Sequence, residues 1–502
     1  MTATPPPPPE DDLPEQVRVR REKYDRLLAS GTPPYPLGAP RTASLAEVRE
    51  RHAGLEVDTA SGEVVSVTGR VVLSRTGGKL CFATVQEGDA QLQVMVSLDG
   101  VGEERLAAWK SDVDLGDHVG VTGEVISSRR GELSVLAKEW ALTSKALRPL
   151  PDKHHGLTDP ELRIRQRYVD LVVNPDSRRM VRDRATVVRA VRDVLHGHDF
   201  VEVETPVLQT VHGGAAARPF STHLNALDLD MTLRIALELY LKRLVVGGVD
   251  KVFEIGRIFR NEGVDSTHSP EFTMLEFYEA YGDYDTVADR TREMVLEAAR
   301  RIGRTTVPDG QGGEIDLEQP WRSATLHELV SDAVGEVVDA GTPLERVVAI
   351  AAEQDVALQD GWDAGEVVLE LYEKLVEHTL LQPTFVRDYP VSARPLARDH
   401  RDDPRLAEAW DLVVAGTELA TGYSELVDPV EQRRRLTEQS VKAAGGDPEA
   451  MQLDEDFLRA LEHGMPPTGG QGMGIDRLVM LLTGSPIRET ILFPLVRPTP
   501  SG

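Results

Sequence analysis

The sequence predicts an α+β chain: a small β-barrel near the N-terminus, then a larger domain of strands flanked by helices. Three observations predict it. Residues 63–146 break into five short β-type runs punctuated by glycine, at 64–72, 80–86, 91–97, 118–126 and 133–142, the pattern of a five-stranded barrel. Residues 253–281 read as a hairpin, with apolar alternation into Arg260, a polar loop over 261–270 and a second strand from Glu271 to Tyr281. Helical patterns at 178–196, 283–302 and 343–379 supply the flanking layer.

Taken in order, residues 1–15 are expected to form a disordered tail, because five consecutive prolines cannot make a helix. Residues 16–62 form an N-terminal helical extension: 16–30 carry Val, Tyr and Leu at helical spacing, with Gly31 as the stop. The basic residues Arg18, Arg20, Arg21, Lys23 and Arg26 of this helix are either a solvated face or a nucleic-acid contact. The barrel occupies 63–147, a Pro- and Arg-containing linker 148–175, and the large domain 176–502. Within the last, Phe200-Val201-Glu202-Val203-Glu204-Thr205-Pro206 alternates as a strand closed by proline.

Bulk properties bound the function. A chain of 502 residues has room for two to four domains, and 40% hydrophobic with 28% charged residues describes an ordinary globular protein. The single cysteine, Cys81, excludes a disulfide framework and a cysteine-based zinc site, and its apolar surroundings assign it to a core. No run approaches the roughly 18 apolar residues that span a bilayer. With no signal peptide visible, the expected compartment is the cytoplasm, without membrane association. A net charge of −27 speaks against nucleic acid as an average, yet residues 148–192 hold 11 Lys/Arg against 6 Asp/Glu.

Two strings carry the chemistry. The first is Phe259-Arg260-Asn261-Glu262, with His268, Glu271-Phe272 and Glu276 following. It sets one planar guanidinium, suited to phosphate or carboxylate oxygens, among carboxylates on one surface. The second is Gly472-Met473-Gly474-Ile475-Asp476-Arg477, read as a Gly-rich turn that opens an apolar helix and fixes Arg477 over it. These strings resemble motifs 2 and 3 of the class II aminoacyl-tRNA synthetases. The helix–strand–Pro206 unit resembles motif 1, which makes the dimer interface in that class. The wording is nearest to the lysyl-tRNA synthetases of actinobacteria, over about residues 16–498.

That resemblance implies an OB-fold anticodon-binding barrel and a class II catalytic domain built on an antiparallel sheet flanked by helices. It implies a homodimer that uses ATP and Mg2+ to activate L-lysine as lysyl-adenylate and load it on the 3′ end of tRNA(Lys). The substrate carboxylate is itself the nucleophile, so the protein has to align reactants and stabilise charge on phosphorus. On the matching positions, Arg260 contacts the α-phosphate and the substrate carboxylate, and Arg477 the γ-phosphate. His268 lies near the outgoing phosphates, Phe272 stacks on adenine and Glu262 accepts from its amino group. Gly214 and Glu238 hold the α-amino group, and Glu425 with Tyr278 the ε-amino group, with Glu276 on the same wall. Asp411 and Glu418, on a strand–turn–strand, are the magnesium ligands. Arg75, Phe82 and Gln93 meet the anticodon, although Phe82 by itself reads as core.

Two departures from the family wording stand out. Ala420-Thr421-Gly422-Tyr423 replaces Gly-Asn-Gly-Phe, so Thr421 and Tyr423 line the substrate side differently, and Leu237 replaces a proline ahead of Glu238. They leave room for a specialised copy that lysylates a protein or supplies lysyl-tRNA for lipid or secondary metabolism. The same wording resembles the synthetase half of fusions with a membrane lysyl-lipid transferase. Protein-modifying relatives lack the barrel, and a non-catalytic tRNA-binding module would be expected to lose Arg260 or Arg477.

Overall fold

The computed structural model describes residues 14–151, 157–265, 267–444 and 453–497. The expected N-terminal tail lies outside these except for its last two residues, and Glu15 already starts a helix. The described chain divides into two compact units at about residues 163–176.

The first unit opens with the helix Glu15–Ala29 and is built on a closed barrel. Its strands are Ala60–Thr76, Leu80–Glu87, Ala90–Ser97, His118–Ser127 and Leu133–Ser144, paired in the order first, second, third, fifth, fourth. Period-two alternation sends Cys81, Ala83, Val85, Leu92, Val94 and Val96 inward, so the single thiol is core. Gly123 is obligatory, because a Cβ there would stand 2.1 Å from the carbonyl oxygen of Leu136. Trp109 and Trp140 meet edge-to-face at 5.1 Å in the same core.

The second unit is organised by an eight-stranded sheet. Its order is Arg322–Thr325, Thr384–Pro390, Leu406–Val414, Thr417–Ser424, Thr468–Gly474, Glu271–Ala280, Lys251–Phe259, Val201–Glu202. Every neighbouring pair is antiparallel except the two at the edges, which are parallel. The helices Pro175–Gly197 and Tyr284–Arg301 place Val187, Val191, Leu195, Met294 and Val295 in one core with Phe277, Leu412 and Leu478. Asp283 caps the second helix by accepting from the Thr286 N–H at 3.1 Å. A separate cluster packs the helices Leu326–Val334, Leu344–Glu353 and Ala364–Leu375 around Val386 and Ala409.

Three expectations need correction. The strand expected over 200–206 is only Val201–Glu202, because beyond Val203 the chain turns to side-chain partners: the Thr205 N–H donates to Glu254 at 3.0 Å. The helix pattern over 343–379 is two helices and a 3-10 turn, split where Gly361 needs φ of +88°. The glycines at 472 and 474 belong to the strand Thr468–Gly474, not to a turn, and the helix starts only at Ile475.

Candidate active site

The site is built on the strand Glu271–Ala280 and its two neighbours. Pairing sets Gly472 opposite Glu276 and Gly470 opposite Tyr278 on one side, and Glu254 opposite Glu276 on the other. Thr421 and Tyr423 then lie opposite Gly472 and Gly470, and Asp411 opposite Thr421. Because side chains alternate, Phe272, Met274, Glu276, Tyr278, Thr421 and Tyr423 point to one side of the sheet. The glycines of the strand between them leave the floor open. A Cβ at Gly470 would stand 1.9 Å from Oε1 of Glu425 and 2.5 Å from the Tyr278 ring.

Above this floor is a cavity of about 380 Å3. It is lined at one end by Gly214, Glu238, Glu276, Tyr278, Thr421 and Tyr423, and at the other by Arg260, Glu262, His268, Phe272, Glu418 and Arg477. Twelve sequence-expected residues thus share one space. Two stand outside the lining: Asp411 and Glu425 are buried just behind it. The barrel residues Arg75, Phe82 and Gln93 belong to the other unit. There Arg75 pairs with Phe82, and Gln93 sits two residues from Met95, the cross-strand partner of Phe82. Phe82 and Gln93 occupy outward positions between buried neighbours, Arg75 is exposed, and Phe82 is half-buried rather than core.

The arginine end is electropositive but balanced. Arg260 donates from Nε to the Ile235 carbonyl at 3.3 Å, and its guanidinium lies 5.4 Å from the centre of the Phe272 ring. Burial and the charge of Arg477 lower its pKa, while Glu262, Glu418 and Glu276 oppose the shift. Arg477 donates to the Glu418 carbonyl at 2.8 Å, with the Glu418 carboxylate at 3.8 Å. Asp476 fixes the start of its helix by accepting from the Thr273 N–H at 2.6 Å. His268 is half-exposed and pairs with Asp265 at 2.9 Å.

The acidic end carries more unusual chemistry. Glu276 accepts from the Leu237 N–H at 2.9 Å and the Tyr278 hydroxyl at 3.1 Å. Burial, then the charge of Glu238, pushes its carboxyl up to about 8. Gly214, at φ of +86°, lies against Glu238, where a Cβ would come within 3.1 Å of the Glu238 Cβ. Two basic residues that sequence reasoning missed complete this end. Lys242 places Nζ 2.6 Å from Glu238 and 2.5 Å from Glu425. Arg394 lines the cavity, forms an ion pair with Asp411 and lies 5.9 Å from the centre of the Tyr423 ring. The spacing of Lys242 four residues after Glu238 was the one available signal, an i,i+4 pair on a helix face. Nothing in the sequence linked Arg394 to Asp411.

Among the described residues no group of three or more His, Cys, Asp or Glu could hold a metal by itself. Asp411 keeps one buried carboxylate oxygen, Oδ1, without a hydrogen-bond donor, and Glu418 lies beside it in the cavity wall. That donor set fits a divalent ion drawing most of its ligands from phosphate and water. No helix of the described chain is long and apolar enough to cross a membrane.

Comparison with known proteins agrees with this geometry. Residues 159–497 match the family of class II tRNA synthetases (D, K and N), and residues 65–143 match the OB-fold nucleic acid binding domain. The chain is 58% identical to a lysine–tRNA ligase of Kineococcus radiotolerans over 97% of its length and 98% of that protein. It is 57% identical to a lysine–tRNA ligase of Mycobacterium tuberculosis with the same coverage. It is also 52% identical to a lysylphosphatidylglycerol biosynthesis bifunctional protein of Mycobacterium ulcerans, but there it spans only 44% of the relative.

Proposed function

The chain belongs to the class II tRNA synthetases (D, K and N), and from that premise we propose that it is a lysine–tRNA ligase. It activates L-lysine with ATP to lysyl-adenylate, releasing pyrophosphate, and transfers the lysyl group to the 3′ end of tRNA(Lys). The observation that carries this reading is one cavity with carboxylates at one end and two guanidinium groups at the other. An amino acid with a cationic side chain needs the first, and a nucleoside triphosphate the second. A pocket for aspartate would need cations where Glu238, Glu276 and Glu425 stand.

In this reading Glu238 and the Gly214 carbonyl take the α-amino group, and Glu425 with Tyr278 the ε-ammonium, beside Glu276, Thr421 and Tyr423. Arg260 bridges the substrate carboxylate and the α-phosphate, drawing nucleophile and electrophile together and taking up charge as phosphorus becomes five-coordinate. Arg477 holds the γ-phosphate and His268 lies by the outgoing pyrophosphate. Phe272 stacks on adenine, whose amino group Glu262 accepts. Asp411 and Glu418 would hold Mg2+, which supplies positive charge to the phosphate oxygens. Arg75, Phe82 and Gln93 offer a ring and polar groups to anticodon bases. The enzyme acts as a cytoplasmic homodimer. In support, Val201, Val207 and Leu208 expose apolar surface around Pro206.

The test is amino-acid-dependent exchange of pyrophosphate into ATP. Lysine alone should support it, and Arg260→Ala should lower it by orders of magnitude. Exchange driven by aspartate and not by lysine would overturn the assignment.

A further inference from the structure

Lys242 is a fully buried cation that the reaction described above does not use. It extends from the helix Glu238–Val246, one turn after Glu238, and its Nζ lies 2.6 Å from Oε1 of Glu238 and 2.5 Å from Oε2 of Glu425. Those two carboxylates are the ones assigned to the two amino groups of the substrate. Both oxygens of Glu425 are buried without an aligned hydrogen-bond donor: Oε2 is held by the charge of Lys242, and Oε1 lies directly over Gly470. The Tyr278 ring centre is 6.0 Å from Nζ. Lys242 thus grips one oxygen of Glu425 and leaves the other open.

Two carboxylates facing one ammonium leave a single negative charge, which matches the net single positive charge of lysine, whose two ammonium groups are offset in part by its own carboxylate. We propose, building on the lysine reading, that Lys242 is a positioning and specificity-determining residue whose fixed ammonium holds the Glu238 and Glu425 carboxylates apart and opposes their protonation, so that the pocket admits a single side-chain ammonium. Burial raises the carboxyl pKa of Glu238 and of Glu425, and Lys242 opposes both shifts. The other groups facing this cluster are Glu276, Tyr278 and Tyr423, with Arg394 and Arg260 farther along the cavity. Without the ammonium, two carboxylates converging on one point repel, and one of them takes up a proton near neutral pH. A protonated Glu425 no longer offers a charge to the substrate. Raising the pH restores it.

The experiment measures steady-state pyrophosphate exchange at pH 7 and pH 9 for the wild type, Lys242→Met and Lys242→Arg, with lysine and ATP varied separately. For Lys242→Met, the expected KM for lysine relative to wild type rises roughly tenfold at pH 7, the factor set by about one pKa unit. Most of that rise should vanish at pH 9, with the KM for ATP unchanged. Lys242→Arg keeps the charge and should stay close to wild type. If Lys242→Met fails to fold, Lys242→Arg decides: a large, pH-independent rise in its lysine KM overturns the charge argument. So does a Lys242→Met lysine KM equal to or below wild type, or an equal loss for lysine and ATP at both pH values. A wild type that activates no lysine would instead sink the functional reading itself.

Discussion

At the scale of single residues, the acidic wall is a set of charges made tolerable by neighbours. Glu276 sits between a backbone N–H and a tyrosine hydroxyl, and burial, then Glu238, pushes its carboxyl up to about 8. An unfolded glutamate titrates near pH 4.3, so between roughly pH 4.3 and 8 the folded chain holds a proton that the unfolded chain has lost. This group's contribution is therefore fully present below the unfolded value and is lost as pH rises through the folded one. Glu276→Gln keeps an acceptor for the Leu237 N–H and turns an amide N–H toward the Tyr278 hydroxyl oxygen, which accepts it, while removing the titration. The variant should gain stability relative to wild type as pH is raised from 5 to 8, measured by urea midpoints. A difference that does not change with pH would contradict the assignment. Sequence reading reached Glu276 but not its protonation, because burial and the approach of Glu238 exist only after folding. It missed Lys242 and Arg394 for the same reason: each acts through an acid that comes from another element or from one helical turn away.

At the scale of elements, the strand Thr468–Gly474 shows how a glycine-rich string was legible in identity and misread in form. The string suggested a turn because glycine punctuates turns. In the fold it is a central strand whose missing side chains leave space for groups from both neighbours. A methyl group at Gly470 would stand 1.9 Å from the Glu425 carboxylate and 2.5 Å from Tyr278. Gly470→Ala should therefore raise the KM for lysine by about tenfold or more, as loss of a buried charge-assisted contact does, with the KM for ATP little changed. Equal effects on both substrates would mean that the strand itself had shifted. The hairpin Lys251–Phe259 with Glu271–Ala280 was legible almost to the residue, because alternation and a polar loop are local signals. The strand over 200–206 was legible only at Val201–Glu202, since beyond Val203 its alternation met side-chain partners instead of a neighbouring strand.

At the scale of the whole molecule, the chain divides its labour between two units. The barrel was readable from five glycine-punctuated runs, and its closed pairing order is what such runs form. The order of the eight-stranded sheet was not readable locally, because strands separated by more than 100 residues pair in it. If the barrel's outer face reads the anticodon, Phe82→Ala should weaken tRNA charging while lysine-dependent pyrophosphate exchange stays near wild type. A parallel fall in both assays would make Phe82 a structural residue of the barrel. The central claim concerns the other unit, where acids and arginines share one cavity. Calorimetric titration with lysyl-sulfamoyl adenosine, a stable mimic of the adenylate, tests it most directly. The expected result is one site per chain with far tighter binding than either lysine or AMP, lost together in Glu238→Gln and Arg260→Ala. Binding no tighter than AMP alone, or equal binding of the aspartyl analogue, would contradict it.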